Sequence, residues 1–256
     1  MMKTALIQTT LIWENAEANR QHFAEKINSI TENVDLIVLP EMFSTGFSMQ
    51  PKPIAETMAG ETALWMKSLA ETKNAAITGS IVISENGHFY NRLLFVLPSG
   101  EIHHYDKRHL FSLAGEHETY SKGQQRLVVD FRGFKICPLI CYDLRFPVFS
   151  RNTEHFDVLL YVANWPKPRI TAWDALLKAR AIENMCYVIG VNRVGEDVNA
   201  HQYTGHSQVL DFLGNVLTEI AEKETVLIAD LQKGPLLETR SKLSFLEDRD
   251  NFEVLF

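Results

Sequence analysis

The hydrophobic positions of the chain occur in short runs that alternate with longer stretches of mixed polarity. Continuous apolar runs of this length indicate strands that are buried on both faces of a sheet. The predicted strands cover residues 4–8, 35–40, 75–83, 92–97, 157–164, 187–192 and 225–231. Two hairpins are also predicted, "RLVVDF" with "KICPLIC" around "RGF", and "HSQVLD" with "NVLTEI" around "FLG".

Between the strands, apolar residues recur at helical spacing. Residues 14–30, 61–73 and 170–185 predict amphipathic helices. Strands that alternate with helices indicate a layered α/β fold, and the hairpins make its sheets mixed. Because no Gly-, Ser- or Pro-rich linker and no repeat divides the chain, we predict one domain over residues 1–256. The segment 235–256 is mixed in character, and we expect it to dock on the body of the protein or on a partner subunit.

Composition narrows the class of protein. A formal net charge of -7 without a basic stripe argues against nucleic acid or an anionic membrane surface as a partner. Three cysteines are too few for a disulfide framework and favour a reducing compartment. No apolar run approaches the roughly 18 residues of a membrane span. We therefore expect a cytoplasmic protein.

Cys141 stands at the carboxyl end of the apolar run in "KICPLICYDLRFP". Functional sites of α/β sheets form at such strand ends, so Cys141 is either a nucleophile or a buried core thiol. Cys137 lies inside the same strand and Cys186 begins another, and both are interpreted as core residues. Nine histidines are present, but none has an obvious strand-end position, so histidine gains no support as the base for a thiol.

Two further ionisable residues could share a site with Cys141. Glu41 follows a buried strand and is flanked by the apolar residues Pro40, Met42 and Phe43. Such an apolar collar would raise the pKa of the Glu41 carboxyl and suit it to proton transfer. Lys107 lies in "HHYDKRHLF" and is either a surface lysine or a cation that faces developing negative charge. No cluster has zinc-ligand spacing and no glycine-rich phosphate loop is present, so no metal or organic cofactor is expected.

The segments "LPEMF", "YDKRHLF" and "LICYDLRFP", in this order and spacing, resemble the nitrilase superfamily of carbon–nitrogen hydrolases. The resemblance implies a four-layer α-β-β-α sandwich that commonly forms a homodimer. It also implies that Glu41 is the general base, that Lys107 stabilises the oxyanion and that Cys141 is the nucleophile. A second glutamate often follows the lysine loop; Glu116 and Glu118 are the candidates, and alignment to the glycine that closes the loop favours Glu116.

Other segments are similar to the omega-amidase branch of this superfamily, namely "YVANWPKPR" and "ARAIENMCYVIGVNRVG". The resemblance implies that Arg145 binds the far carboxylate of a dicarboxylate monoamide such as 2-oxoglutaramate, 2-oxosuccinamate or succinamate. The backbone N–H of Tyr142 would help to hold the oxyanion, and Phe43 and Trp165 would line a short pocket. Arg145 could instead pair with Asp143, and both aromatic residues could be plain core.

Two alternatives remain open. The chain could be another member of the superfamily, a nitrilase or an N-carbamoyl amidase, because these use the same three residues. It could also be a binding protein on this fold without catalysis, although such a protein would be expected to lack Glu41, Lys107 or Cys141.

Overall fold

The computed structural model describes residues 1–253 and contains two mixed β-sheets. The larger sheet has the strand order β13-β1-β2-β3-β4-β5. Strands β1, β2 and β3 are parallel, and the remaining neighbours are antiparallel. The bounds are β1 Met2–Gln8, β2 Leu36–Val38, β3 Ala76–Glu85, β4 His88–Val96, β5 Ile102–Asp106 and β13 Thr225–Leu231.

The second sheet repeats this plan with the order β12-β9-β8-β7-β6, in which β7, β8 and β9 are parallel. Its bounds are β6 Val129–Phe131, β7 Phe134–Ile140, β8 Val158–Ala163, β9 Tyr187–Asn192 and β12 Gln208–Leu210. Strands β10, Val194–Glu196, and β11, Gln202–Thr204, form a separate small hairpin. Parallel strands in the middle of both sheets explain the continuous apolar runs, because these strands are covered on both faces.

Helices cover the outer faces of the two sheets. These are α1 Ala16–Asn28, α2 Glu61–Lys73 and α4 Ile170–Asn184; the chain also contains the short helix α3 Glu116–Thr119 and the helix α5 Lys233–Leu243. Ile37 and Ile77 of the larger sheet share a buried cluster with Phe23 of α1 and Met66 of α2. Trp173 and Leu177 of α4 pack on the second sheet.

The two sheets pack against each other through their inner faces. Leu6 and Phe95 of the larger sheet lie in one buried cluster with Leu139 and Leu160 of the second. Successive side chains of a strand point to opposite faces, so Leu6 faces the second sheet while its neighbours Ala5 and Ile7 face the helices. The order of layers is helix, sheet, sheet, helix, which confirms the predicted four-layer α-β-β-α sandwich.

The two predicted hairpins have different outcomes. Strands β6 and β7 form the first one around Arg132 and Gly133, which both have positive φ as a tight hairpin turn requires. The second prediction is half wrong: β12 is a strand, but its partner "NVLTEI" contributes only an isolated bridge between Leu210 and Val216. Strands β5, β10 and β11 were not predicted.

The tail of the chain contains helix α5, whose side chains contact the second sheet and its connections. Leu236 is fully buried, and the Arg240 guanidinium donates to the carbonyls of Met185 and Phe156 at 2.7 and 2.6 Å. The predicted docking segment also includes residues 254–256, which lie outside the described part of the chain. Within residues 1–253, none of the helices combines the length and apolar character that crossing a membrane requires.

Candidate active site

Cys141 begins a single helical turn, Cys141–Arg145, directly after strand β7. Its φ is +45°, a left-handed backbone conformation that a residue with a side chain rarely adopts and that costs roughly 1–2 kcal/mol. The side chain is only partly buried and faces a cavity, whereas Cys137 and Cys186 are fully buried. The strained turn thus brings the Cys141 thiol to the carboxyl edge of the second sheet.

Buried Asp143 holds this turn in place. Its Oδ2 accepts hydrogen bonds from the Ile140 N–H at 3.0 Å and the Tyr105 hydroxyl at 2.8 Å. Its Oδ1 accepts from the His109 N–H at 3.0 Å and lies 2.8 Å from His109 Nδ1. The His109 ring stacks on Phe146 with centroids 3.7 Å apart. Asp143 is therefore committed to the turn rather than to an ion pair with Arg145.

Asp143→Ala is expected to lower the free energy of unfolding by about 3 kcal/mol or more, because several buried donors lose their acceptor. Urea unfolding of this variant and of Asp130→Ala, at an exposed position of β6, measures the effect. Equal midpoints for the two variants would contradict the support assigned to Asp143.

Glu41 follows strand β2 and is completely buried. Its Oε1 accepts from Lys107 Nζ and from Asn91 Nδ2, each at 2.8 Å. Its Oε2 accepts from the backbone N–H of Asn164 at 2.8 Å, and the Asn164 side chain returns a bond to the Glu41 carbonyl at 2.6 Å. Hydrogen-bond donors surround the carboxylate, which corrects the expectation of an apolar collar.

Lys107 lies between two buried carboxylates. Its Nζ is 2.8 Å from Glu41 Oε1 and 2.9 Å from Glu116 Oε2, and all three side chains are inaccessible to solvent. The loop closes where the Gly123 N–H donates to the Lys107 carbonyl, and a Cβ at Gly123 would collide with the backbone of Asp106. Of the two candidate glutamates, the structure brings Glu116 into this group and leaves Glu118 exposed.

The local electrostatics follow from this burial. Burial alone would lower the pKa of the Lys107 ammonium, but the carboxylates of Glu116 and Glu41 outweigh it and hold this pKa above its usual range. Burial raises the pKa of the Glu116 carboxyl, against the opposing effect of Lys107. Burial and the nearby Glu41 carboxylate raise the pKa of the Cys141 thiol. The effect of Lys107 on the thiol is outweighed, so Cys141 rests as a neutral thiol.

A cavity of about 360 Å³ opens in front of Cys141. Tyr142, Arg145 and Trp165 are among the residues that line it. The Arg145 guanidinium lies 4.9 Å from the centre of the Trp165 ring. Among residues 1–253, no carboxylate forms an ion pair with Arg145, which leaves its guanidinium available to a ligand.

Phe43 lies elsewhere, which corrects the expectation that it lines the pocket. It is fully buried under the helices, with its ring centre 5.4 Å from that of Phe23 and 5.9 Å from that of Trp65. Met42 has a φ of +44°, so the chain turns sharply after Glu41. The turn sends Phe43 into the outer core, and Phe47 lines the cavity instead.

Sequence reasoning missed several polar neighbours of the site. Asn91 bridges the two carboxylates, since its Nδ2 donates to Glu41 Oε1 and, at 3.2 Å, to Glu116 Oε1. The position of Asn164 in the sequence could have indicated a site residue, because Asn164 follows the apolar strand β8 just as Cys141 follows β7. Within residues 1–253, no group of three or more His, Cys, Asp or Glu side chains has the arrangement of a metal site.

Taken together, the site offers a thiol, a carboxylate near it, and a buried ammonium that is ion-paired with this carboxylate. A thiol and a neighbouring proton acceptor are the parts that nucleophilic catalysis requires. The ammonium is a donor for negative charge that develops on a substrate oxygen. The arrangement is thus suited to attack on a carbon that bears a polarised oxygen or nitrogen.

Comparison with known proteins agrees with this chemistry. The sequence model of the family described as "Carbon-nitrogen hydrolase" matches residues 3–240. The omega-amidase YafV of Escherichia coli is 45% identical over 255 residues, which cover 99% of this chain and 98% of that protein. The 2-oxoglutaramate amidase of Bacillus subtilis is 33% identical over 227 residues, 87% of each chain.

A solved structure supports the same assignment. A CN-hydrolase superfamily protein of Xanthomonas campestris, crystallised with an arsenic adduct in its active site, is 42% identical with a TM-score of 0.96. The superposition covers 99% of this chain and 98% of that protein. The predicted resemblance to the nitrilase superfamily is confirmed, and the chain belongs to the carbon–nitrogen hydrolase family.

Proposed function

We propose that this protein is a thiol-dependent omega-amidase. It hydrolyses the terminal amide of small dicarboxylate monoamides, such as 2-oxoglutaramate, 2-oxosuccinamate and succinamate, to the acid and ammonia. The observation that carries the proposal is the position of Arg145, whose guanidinium has no ion pair within residues 1–253 and shares one cavity with the Cys141 thiol. The relatives named omega-amidase and 2-oxoglutaramate amidase support the same substrate class.

The acylation half of the reaction uses the neutral thiol. Glu41 takes the Cys141 proton as sulfur attacks the amide carbon, and the carbonyl oxygen becomes an oxyanion. Lys107 and the Tyr142 N–H donate to that oxyanion, and one such donor contributes about 3 kcal/mol to transition-state stabilisation. The C–N bond then breaks, the nitrogen receives the proton from Glu41, and ammonia leaves a thioester on Cys141.

The deacylation half reuses the same groups. Glu41 takes a proton from water, which attacks the thioester carbon, and Lys107 again faces the oxyanion. The C–S bond breaks, and the proton returns from Glu41 to sulfur. Glu116 keeps Lys107 oriented through both halves, with its two oxygens 3.0 and 2.9 Å from Nζ.

Substrate selection by Arg145 depends on the geometry of its side chain. A guanidinium presents a planar fork that matches a carboxylate in a bidentate pair. Trp165 lies against the guanidinium, holds it in one orientation and leaves its N–H groups for the ligand. The enzyme therefore takes amides that carry a carboxylate at the far end of a short chain.

A panel of four substrates tests the proposed function. Ammonia release is measured from 2-oxoglutaramate, succinamate, a simple nitrile and an N-carbamoyl compound. Hydrolysis of the first two supports an omega-amidase. Hydrolysis of the nitrile or carbamoyl compound instead would identify another member of the superfamily. No turnover, with a Cys141 that iodoacetamide does not label, would identify a binding protein.

Arg145→Met is expected to raise KM for succinamate by about 10-fold to 100-fold, because a charge-assisted pair is worth about 1.5–3 kcal/mol. Methionine retains an apolar stem against Trp165, so the pocket keeps its shape. The steady-state kinetics of butyramide, which lacks the carboxylate, serve as the control and should not change. Equal losses on both amides would contradict carboxylate recognition by Arg145.

The proposal includes the wider setting that the family resemblance implies. The chain acts as one domain, without a metal or organic cofactor, and as a homodimer in the cytoplasm, with a small-molecule amide rather than nucleic acid or a membrane as its partner. Exposed apolar side chains near the tail, including Phe245 and Val148, support a role of the segment 235–256 at a subunit contact.

A further inference from the structure

A second arginine faces the same cavity. Arg169 lines the cavity together with Arg145, and its guanidinium lies 5.2 Å from the centre of the Phe111 ring. Within residues 1–253, neither guanidinium forms an ion pair with a carboxylate of the chain. The cavity thus carries two cations, each supported by an aromatic ring, whereas one guanidinium is sufficient to bind one carboxylate.

The backbone and side-chain contacts around Arg169 fix its place relative to the nucleophile. The Trp165 indole N–H donates to the Arg169 carbonyl at 2.7 Å, and the Arg169 N–H donates to the Pro166 carbonyl at 3.0 Å. The Phe111 ring lies beside the Arg169 guanidinium and also packs on the Tyr142 ring, with the two ring centres 5.0 Å apart. One aromatic side chain therefore reaches from the neighbour of Cys141 to Arg169.

The acidic residue at the rim of the cavity does not neutralise Arg169. Asp197 lines the cavity, but its Oδ1 accepts from the N–H groups of Asn199 and His201 at 2.9 and 3.0 Å. Its Oδ2 accepts from the Tyr203 hydroxyl at 2.9 Å and lies 3.2 Å from His201 Nδ1. These donors belong to the β10–β11 hairpin and its turn, so the hydrogen bonds of the Asp197 carboxylate stabilise the hairpin. The cavity keeps a surplus of donors for an anionic ligand.

We propose that Arg169 is a specificity residue that donates to an oxygen on the carbon next to the substrate's far carboxylate. The inference rests on the proposed function and deepens it: the site selects 2-oxo dicarboxylate monoamides over the same monoamides without the oxo group. A substrate that lacks this acceptor leaves a cationic donor of the cavity without a partner, and an unpaired polar group in a binding site is a source of discrimination.

The kinetic test compares 2-oxoglutaramate with glutaramate, which differs only by the oxo group. Arg169→Met is expected to lower kcat/KM for 2-oxoglutaramate by about tenfold or more and that for glutaramate by less than about threefold. Arg169→Lys, which keeps the charge, should recover part of the loss. Lys167→Met is the matched control, because Lys167 is in the same turn but is exposed and does not line the cavity.

A binding measurement separates recognition from turnover. In the Cys141→Ala background, calorimetry should show that 2-oxoglutarate binds about tenfold more tightly than glutarate, and that Arg169→Met removes this preference. A preference that survives Arg169→Met, or equal losses for the two ligands, would overturn the inference. If the wild type hydrolyses neither amide, the proposed function fails, and the two binding constants alone still decide the role of Arg169.

Discussion

Replacing Cys141 by alanine is expected to lower the rate of ammonia release by about 10⁴-fold or more, because the covalent route through the thioester is lost. The substitution removes one sulfur atom from a partly open position, so the fold should persist. Wild type and variant are compared on the same amide at saturating concentration.

Cys137→Ala is the matched control for this variant. Cys137 lies in the same strand, β7, but is fully buried in the core, and burial raises its pKa to about 12. It therefore stays an inert thiol at neutral pH, and its loss should leave turnover close to that of the wild type. Turnover of Cys141→Ala within tenfold of the wild type, or an equal loss in both variants, would contradict the proposed nucleophilic role of Cys141.

Lys107→Met is expected to reduce both turnover and stability. Turnover should fall by about 10²-fold to 10³-fold, because the oxyanion loses a charged donor. The free energy of unfolding should fall by about 3–5 kcal/mol, because Glu41 and Glu116 remain as buried carboxylates without their cation. Ammonia release and urea unfolding measure the two effects, with exposed Lys122→Met as the control.

The double variant Lys107→Met, Glu116→Gln separates these effects. Neutralising Glu116 removes one of the two unpaired charges, so a large part of the lost stability should return. Turnover should stay low, because the donor for the oxyanion is still missing. Recovery of turnover together with stability would show that Lys107 acts only on the fold.

Much of the architecture could be predicted from the hydrophobic pattern, because strands covered on both faces have no polar face to interrupt them. Helices α1, α2 and α4 could be predicted because their apolar residues recur at helical spacing. Strand β5, "IHHYD", was not predicted: its polar side chains conceal the pattern, and the strand is fixed by pairing with β4. The segment "NVLTEI" has the composition of a strand, but it makes only one bridge.

The candidate site was predictable where residues follow buried strands, as Glu41 and Cys141 do. The positions of Phe43 and Phe47 were not, because they depend on the left-handed backbone at Met42, which a side-chain pattern does not reveal. Asn91 was also missed: it is a single polar residue inside strand β4, and its importance depends on Glu41 and Glu116, which are distant in sequence.

The site has one property that concerns folding rather than chemistry. Glu41, Asn91 and Lys107 come from the larger sheet, whereas Cys141 and Asn164 come from the second, and the Asn164–Glu41 bonds join the two. Asn164 and Glu41 are separated by 123 positions along the chain. A chain in which each sheet has formed without docking on the other would hold every residue of the candidate site and still be inert. During refolding, the return of hydrolysis should therefore lag behind the return of secondary structure, and activity would report the docking of the two sheets.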